Sequence, residues 1–328
     1  MKIGKIPGDK LEEIVLKKIG QRRKEVLIHA GIGEDSAVVD LEEGLLVISS
    51  DPITGASQNT GYLAVHVACN DLAATGAEPV GIQVVLLLPP ATTDQDIAAL
   101  MEEIDTTARS INVEILGGHT EVLSAVSKPI ITITAVGRVA RGKYVASGGA
   151  LPGDDLILTK GVGIEGTYIL ANDYRELLLK KGVSPKIISA ARKYGEKLSV
   201  IEEGLLAAGY GANAMHDVTE GGLYGALEEL SRASGLGFNL YLDNLPVPEE
   251  TEVISRAMGI DPAGLISSGS MLISIPDGEG LIKELSKKGI IAARIGEIVE
   301  GGRFIIQKDG RWERFKWSGK DELWRLME

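Results

Sequence analysis

The chain has 328 residues, 44% of them hydrophobic and 41 of them glycine, enough for two domains of ordinary size with a core in each. Its 34 Lys and Arg against 46 Asp and Glu give a net charge of −12, which excludes a nucleic-acid backbone as partner because such binding relies on clustered cations. One cysteine, Cys69, and four scattered histidines exclude an internal disulfide and a zinc centre, and apolar runs no longer than a strand exclude a membrane span; the expected compartment is the cytoplasm.

An amphipathic helix is expected over residues 10–19, for packing. Gly33-Glu34-Asp35-Ser36-Ala37 then brings the backbone close to whatever Asp35 faces, although a glycine-flanked acid is equally a simple turn. A strand over 45–49 ends in Ser50-Asp51-Pro52, again an acid at a strand end, where α/β proteins place ligands. The next helix runs from Thr60, its expected cap, to Gly76, and Pro79 forbids continuation. Its apolar residues leave no water-facing side, yet it carries Asn70 and Asp71. A carboxylate so placed is costly unless it is paired, hydrogen-bonded or bound to a metal.

A strand over 80–88 follows, then a helix over 94–110 opened by a capping box of Thr93 and Asp96. A short strand over 113–116 is expected to run into a loop, Gly117-Gly118-His119-Thr120-Glu121, before a long strand over 130–138. This order suggests a sheet with its helices on one face, leaving the other to be covered, as by a partner subunit. The small-residue stretch Ser147-Gly148-Gly149 marks the expected boundary between domains 1–147 and 148–328.

The second half opens with a strand over 155–159, Lys160, and Gly161-Val162-Gly163-Ile164-Glu165-Gly166. The pattern fits G-x-G-x-x-G, but no acidic strand end follows at the dinucleotide spacing, and a glycine turn that lets a helix pack closely is the simpler reading. Helices are expected over 185–194 and 196–208. In Asp217-Val218-Thr219-Glu220-Gly221-Gly222-Leu223, acids and glycines lead into a helix whose first N–H groups could hold a phosphate; Thr219 with Glu220 is also an ordinary helix start. Alternating helices and strands complete the chain, with Trp312, Trp317 and Trp324 near its end.

Asp35, Asp51, Asp71 and Asp217, with Glu121 as a possible fifth, occupy comparable places. Several carboxylates without a cysteine or histidine set are ligand chemistry for Mg²⁺, which usually arrives with substrate phosphates. No Walker A sequence is present.

These motifs, in this order, resemble the AIR synthase superfamily, from about residue 30 to about residue 307. The superfamily includes thiamine-monophosphate kinase, selenophosphate synthetase and HypE, and the chain looks most like the HypE branch. The resemblance implies a two-domain α/β (α+β) fold whose N-terminal sheet pairs with that of a second subunit into a β-barrel, hence a homodimer. It implies ATP and Mg²⁺ as cofactors, with Asp35, Asp51, Asp71 and Asp217 holding the metal and Asn70, Gly117, Gly118, Thr120, Lys160, Thr219, Gly221 and Gly222 lining the nucleotide site. The implied activity is ATP-dependent phosphorylation or activation of a small substrate, with a maturation protein as a possible partner. Alternatives are a thiamine-monophosphate kinase-like phosphotransferase and a relative that binds nucleotide or partner without turnover. HypE proteins of hydrogenase maturation end in a cysteine, whereas this chain reads Leu326-Met327-Glu328 there.

Overall fold

The computed structural model describes residues 24, 26–28, 31–34, 36–41, 44–53, 58–307 and 309–327. The expected helix over 10–19 and Asp35 lie outside them.

The first sheet contains β1 (Val26–Ile28), β2 (Ala37–Asp40), β3 (Leu45–Ile53), β4 (Glu78–Leu88), β5 (Glu114–Val122) and β6 (Ile130–Val139), in the order β1-β2-β3-β6-β4-β5. Neighbours are antiparallel except β4 and β5, which are joined by a helical crossover. Two helices, α1 (Thr60–Ala74) and α2 (Asp94–Ser110), share a core with this sheet. Thr93 and Asp96 form the expected capping box of α2. At α1 the start differs: left-handed Asn59 occupies the cap position with no side-chain bond, and Thr60 is the first helical residue.

The second sheet contains β7 (Asp155–Thr159), β8 (Ala214–Val218), β9 (Gly237–Tyr241), β10 (Ser270–Ile275), β11 (Ala292–Val299), β12 (Arg303–Ile306) and β13 (Trp312–Arg314). Its order is β13-β12-β9-β11-β7-β10-β8, antiparallel apart from β12 with β9. Around it lie α3 (Ile164–Asp173), α4 (Arg175–Lys180), α5 (Pro185–Arg192), α6 (Ile201–Tyr210), α7 (Gly222–Ser234), α8 (Glu249–Met258), α9 (Gly278–Lys287) and α10 (Glu322–Met327).

Three further expectations are corrected and one strand is added. Gly117 to Glu121 are not a loop: both glycines are extended within β5, which continues to Val122. Asp51 lies inside β3, which runs to Ile53 rather than stopping at Ser49. Residues 214–218 form β8, a strand hidden in the sequence by its mixed Ala-Met-His-Asp-Val composition. The helix expected from 196 begins at Ile201, because residues 193–197 form a tighter 3-10 turn. The G-x-G-x-x-G string serves packing: a Cβ on Gly166 would stand 2.3 Å from the Leu265 side chain, so α3 can approach only through glycine. No helix among the described residues is long and apolar enough to cross a membrane.

Candidate functional site

Helix α1 is the pillar between the two sheets. One side packs on β3, β4 and β6, and another meets α6 and β8. A Cβ on Gly204 of α6 would lie 2.3 Å from the Ala73 carbonyl oxygen, which shows how closely the two helices approach.

Asp71 is 7% exposed on this pillar. The Ser49 hydroxyl of β3 donates to its Oδ2, and the Ser36 hydroxyl donates to its backbone carbonyl at 3.0 Å. Both serines lie near the acids singled out in the sequence, but their role as partners of Asp71 carried no sequence signal. Asp51 is two residues beyond Ser49 and so lies on the same face of β3. Asp217 is buried on β8 two residues after Met215, which packs with Ala73 and Ala74; it therefore faces the α1 side of the second sheet. His216 takes the opposite face, 2.9 Å from Glu229 of α7.

Sheet register places Gly118 at the same level as Asp51. Asp51 pairs with Ile133, Ile133 with Val84, and Val84 with Gly118. Three strand spacings separate the ends of this row, about 14 Å. Ile133 and Val84 are buried, so the row faces the helices. Thr120 follows on the same face, and β5 is exposed along nearly its whole length. A Cβ on Gly118 would strike the Val84 carbonyl oxygen at 1.8 Å.

Asn70 and Lys160 face inward to protein. The Asn70 amide donates to Leu198 O at 2.8 Å and accepts from Val200 N–H at 2.9 Å. Lys160, left-handed at φ 57°, donates to Ser199 O at 2.6 Å and Gly269 O at 3.0 Å and is ion-paired with buried Glu203. These residues together tie 198–200 to α1 and β7. Burial pushes Lys160 down, offset by Glu203, and pushes Glu203 up, offset by Lys160. His66, on the same helix, is lowered to about 4 by burial and by the Lys160 charge. Cys69 is buried, and burial followed by the Asp71 charge raises its thiol to about 12, so it is neither exposed nor ionised at neutral pH.

In the loop before α7, Thr219 O accepts from Gly222 N–H at 3.0 Å and Ser267 N–H at 3.3 Å. Gly221, φ 91°, is the cap position of α7. The carboxylates offer hard oxygen ligands of the kind Mg²⁺ takes, but among the described residues no three His, Cys, Asp or Glu are gathered into one centre. Asp51, Asp71 and Asp217 stand as separate acids on rigid elements.

The family model "AIR synthase related protein, N-terminal domain" matches residues 33–139, and "AIR synthase related protein, C-terminal domain" matches 152–309. The carbamoyl dehydratase HypE of Cupriavidus necator is 28% identical over 309 residues, covering 90% of this chain and 86% of its own length. Two solved structures share the fold. AaThiL complexed with AMPPCP and TMP superposes with a TM-score of 0.74 at 20% identity, over 98% of this chain and 99% of its own. The hydrogenase maturation protein HypE in complex with ATP gives 0.70 at 21% identity, over 98% and 97%. With both halves matched in the expected order, the chain belongs to the AIR synthase-related family.

Proposed function

We propose that the chain is a HypE-like enzyme that uses Mg²⁺-bound ATP to phosphorylate or otherwise activate a small substrate. Asp71 carries this reading: a carboxylate kept in an apolar helix, oriented by Ser49, with Asp51 on the same face of β3 as Ser49 and Asp217 presented from the second sheet. Carboxylates on rigid elements are suited to a cation that also takes phosphate oxygens. In this reading Asp35, Asp51, Asp71 and Asp217 hold the metal. Gly117, Gly118 and Thr120 border the nucleotide along β5, as do Thr219, Gly221 and Gly222 at the start of α7. Asn70 and Lys160 act from behind, since their polar atoms already bind the 198–200 backbone and Glu203. When bound, Mg²⁺ would neutralise charge on the transferring phosphoryl group. The chain's own share is alignment and exclusion of water.

The buried Cys69 thiol is unsuited to carrying a substrate group. A homodimer through the face of the first sheet away from α1 and α2 belongs to the same reading.

Titration calorimetry with Mg-ATP tests the proposal. Binding is expected for the wild type, and Asp71→Asn, which keeps the shape and can still meet Ser49, should weaken it by at least about 100-fold. Folded wild-type protein that gives no heat at millimolar nucleotide overturns it. A thiamine-monophosphate kinase-like phosphotransferase is the second reading, favoured by the match to AaThiL along almost the whole chain. Transfer of labelled phosphate to thiamine monophosphate would select it. Binding without phosphate release across candidate substrates would select a non-catalytic relative.

A further inference from the structure

The turn where β7 gives way to α3 is built on one side chain. Lys160 stands at φ 57°, a left-handed conformation that a non-glycine residue keeps only where its surroundings impose it, and its N–H donates to Ile291 O at 2.7 Å. Its ammonium has three protons to give, and three acceptors meet it: Ser199 O at 2.6 Å, Gly269 O at 3.0 Å and the carboxylate of buried Glu203. With these bonds made, the amine has no proton left for a phosphate.

The two carbonyls belong to different stretches of chain. Ser199 is the middle of a segment whose flanks are held by Asn70, whose amide donates to Leu198 O at 2.8 Å and accepts from Val200 N–H at 2.9 Å. Three successive residues are thereby fixed to the end of β7 and to α1, at the position next to Asp71. Gly269 lies in the buried turn Ser267-Ser268-Gly269-Ser270. At φ 105° it has to be glycine, and a Cβ there would stand 2.6 Å from Lys197 O, so this turn presses on the segment that Asn70 holds.

From the turn the contacts run on to α7. Ser270 N–H donates to Ser267 O at 3.0 Å, and Ser267 N–H donates to Thr219 O at 3.3 Å, the same oxygen that takes Gly222 N–H at 3.0 Å. Ser267 Oγ accepts from Ile164 N–H at 3.1 Å, which ties the first turn of α3 to the same place. A connected set of hydrogen bonds thus leads from Asn70 on α1 to the glycines at the start of α7, and the Lys160 ammonium is where its two parts meet.

We propose that Lys160 is a positioning residue that fixes the 219–222 loop against Asn70 and Asp71 of α1. The two carbonyl oxygens that it holds carry like partial charges. A side chain without donors leaves both unmet in the interior, and the two segments separate. The purpose of this bridge rests on the nucleotide reading, in which Asp71 holds the metal and the 219–222 loop borders the nucleotide. Lys160 then sets the spacing between the two without touching either ligand.

Lys160→Met combined with Glu203→Leu removes the ion pair as a whole, so neither charge is stranded in the interior. Amide hydrogen exchange of the full chain, without nucleotide, is compared with wild type. Exchange is expected to quicken by at least about tenfold in residues 198–200 and 219–222 together, while β9, in the same sheet, exchanges as in wild type. A general loss of stability would quicken all three. Mg-ATP binding, read by calorimetry, is expected to weaken by about tenfold or more. Wild-type exchange in 219–222, equal quickening in β9, or wild-type affinity for Mg-ATP in the double variant overturns the bridge. If that pair does not fold, Lys160→Met with Glu203→Met, whose more adaptable side chain fills the same space, decides by the same measurements. A wild type that gives no heat with Mg-ATP overturns the nucleotide reading alone, and the exchange comparison still judges the bridge.

Discussion

The two sheets solve the same problem in opposite ways. In the second sheet β8 and β10 are buried at every position, and β7 at all but its first, with α7 on one face and α6, α9 and the end of α1 on the other. In the first sheet β6 alternates buried and half-buried residues, and Val80 and Leu116 are 45% and 51% exposed. Its helices cover one face, and the other carries Leu46, Ile48 and Val136 together with Ser50, Thr134 and Arg138. Among the described residues, the second sheet is packed on both faces and the first on one.

The strongest way to break this contrast is to attack the closed half at its charged centre. Glu203→Ala leaves Lys160 buried with only carbonyl partners and should destabilise the chain by about 3–5 kcal/mol in urea unfolding, at any protein concentration. Asn70→Ala comes next. It strands the Leu198 carbonyl and the Val200 N–H, both met by one amide, at roughly 2–4 kcal/mol by the same assay. A pH series sharpens the contrast. His66 is neutral in the fold down to about pH 4 while its ordinary value is 6.5, so only the unfolded chain takes up its proton in that window. Stability should fall by roughly 2–3 kcal/mol as pH drops from 6.5 to 4, and His66→Gln should flatten that part of the curve.

The smallest effect on the monomer is expected on the open half. Ile48→Lys places a charge on the face of the first sheet away from α1 and α2, where it should change unfolding by less than about 0.5 kcal/mol yet turn the proposed homodimer into a monomer by light scattering. A wild type that is monomeric at micromolar concentration overturns the homodimer.

Much of the scaffold was readable because local rules and tertiary structure agree there. The α2 capping box, the buried α1 and the one-sided first sheet all follow from patterns that packing did not override. Gly117 and Gly118 misled because glycine pairs usually turn, whereas here they extend an edge strand pressed against Val84. Asp71 announced its need for a partner, but Ser49 did not announce itself as that partner, since a serine in an apolar strand has no spacing signal. Asn70 was legible as unusual and not as a clamp.

Cys69 gives the molecule a clock. Its thiol has no route to solvent within the native packing, and it is the only thiol in the chain. A labelling reagent therefore reacts only with molecules in which the core shared by α1 and the first sheet has opened, and motions of the C-terminal end pass unnoticed. Under strong labelling the single-site reaction rate equals the rate of that opening, which gives the lifetime of the native state without denaturant.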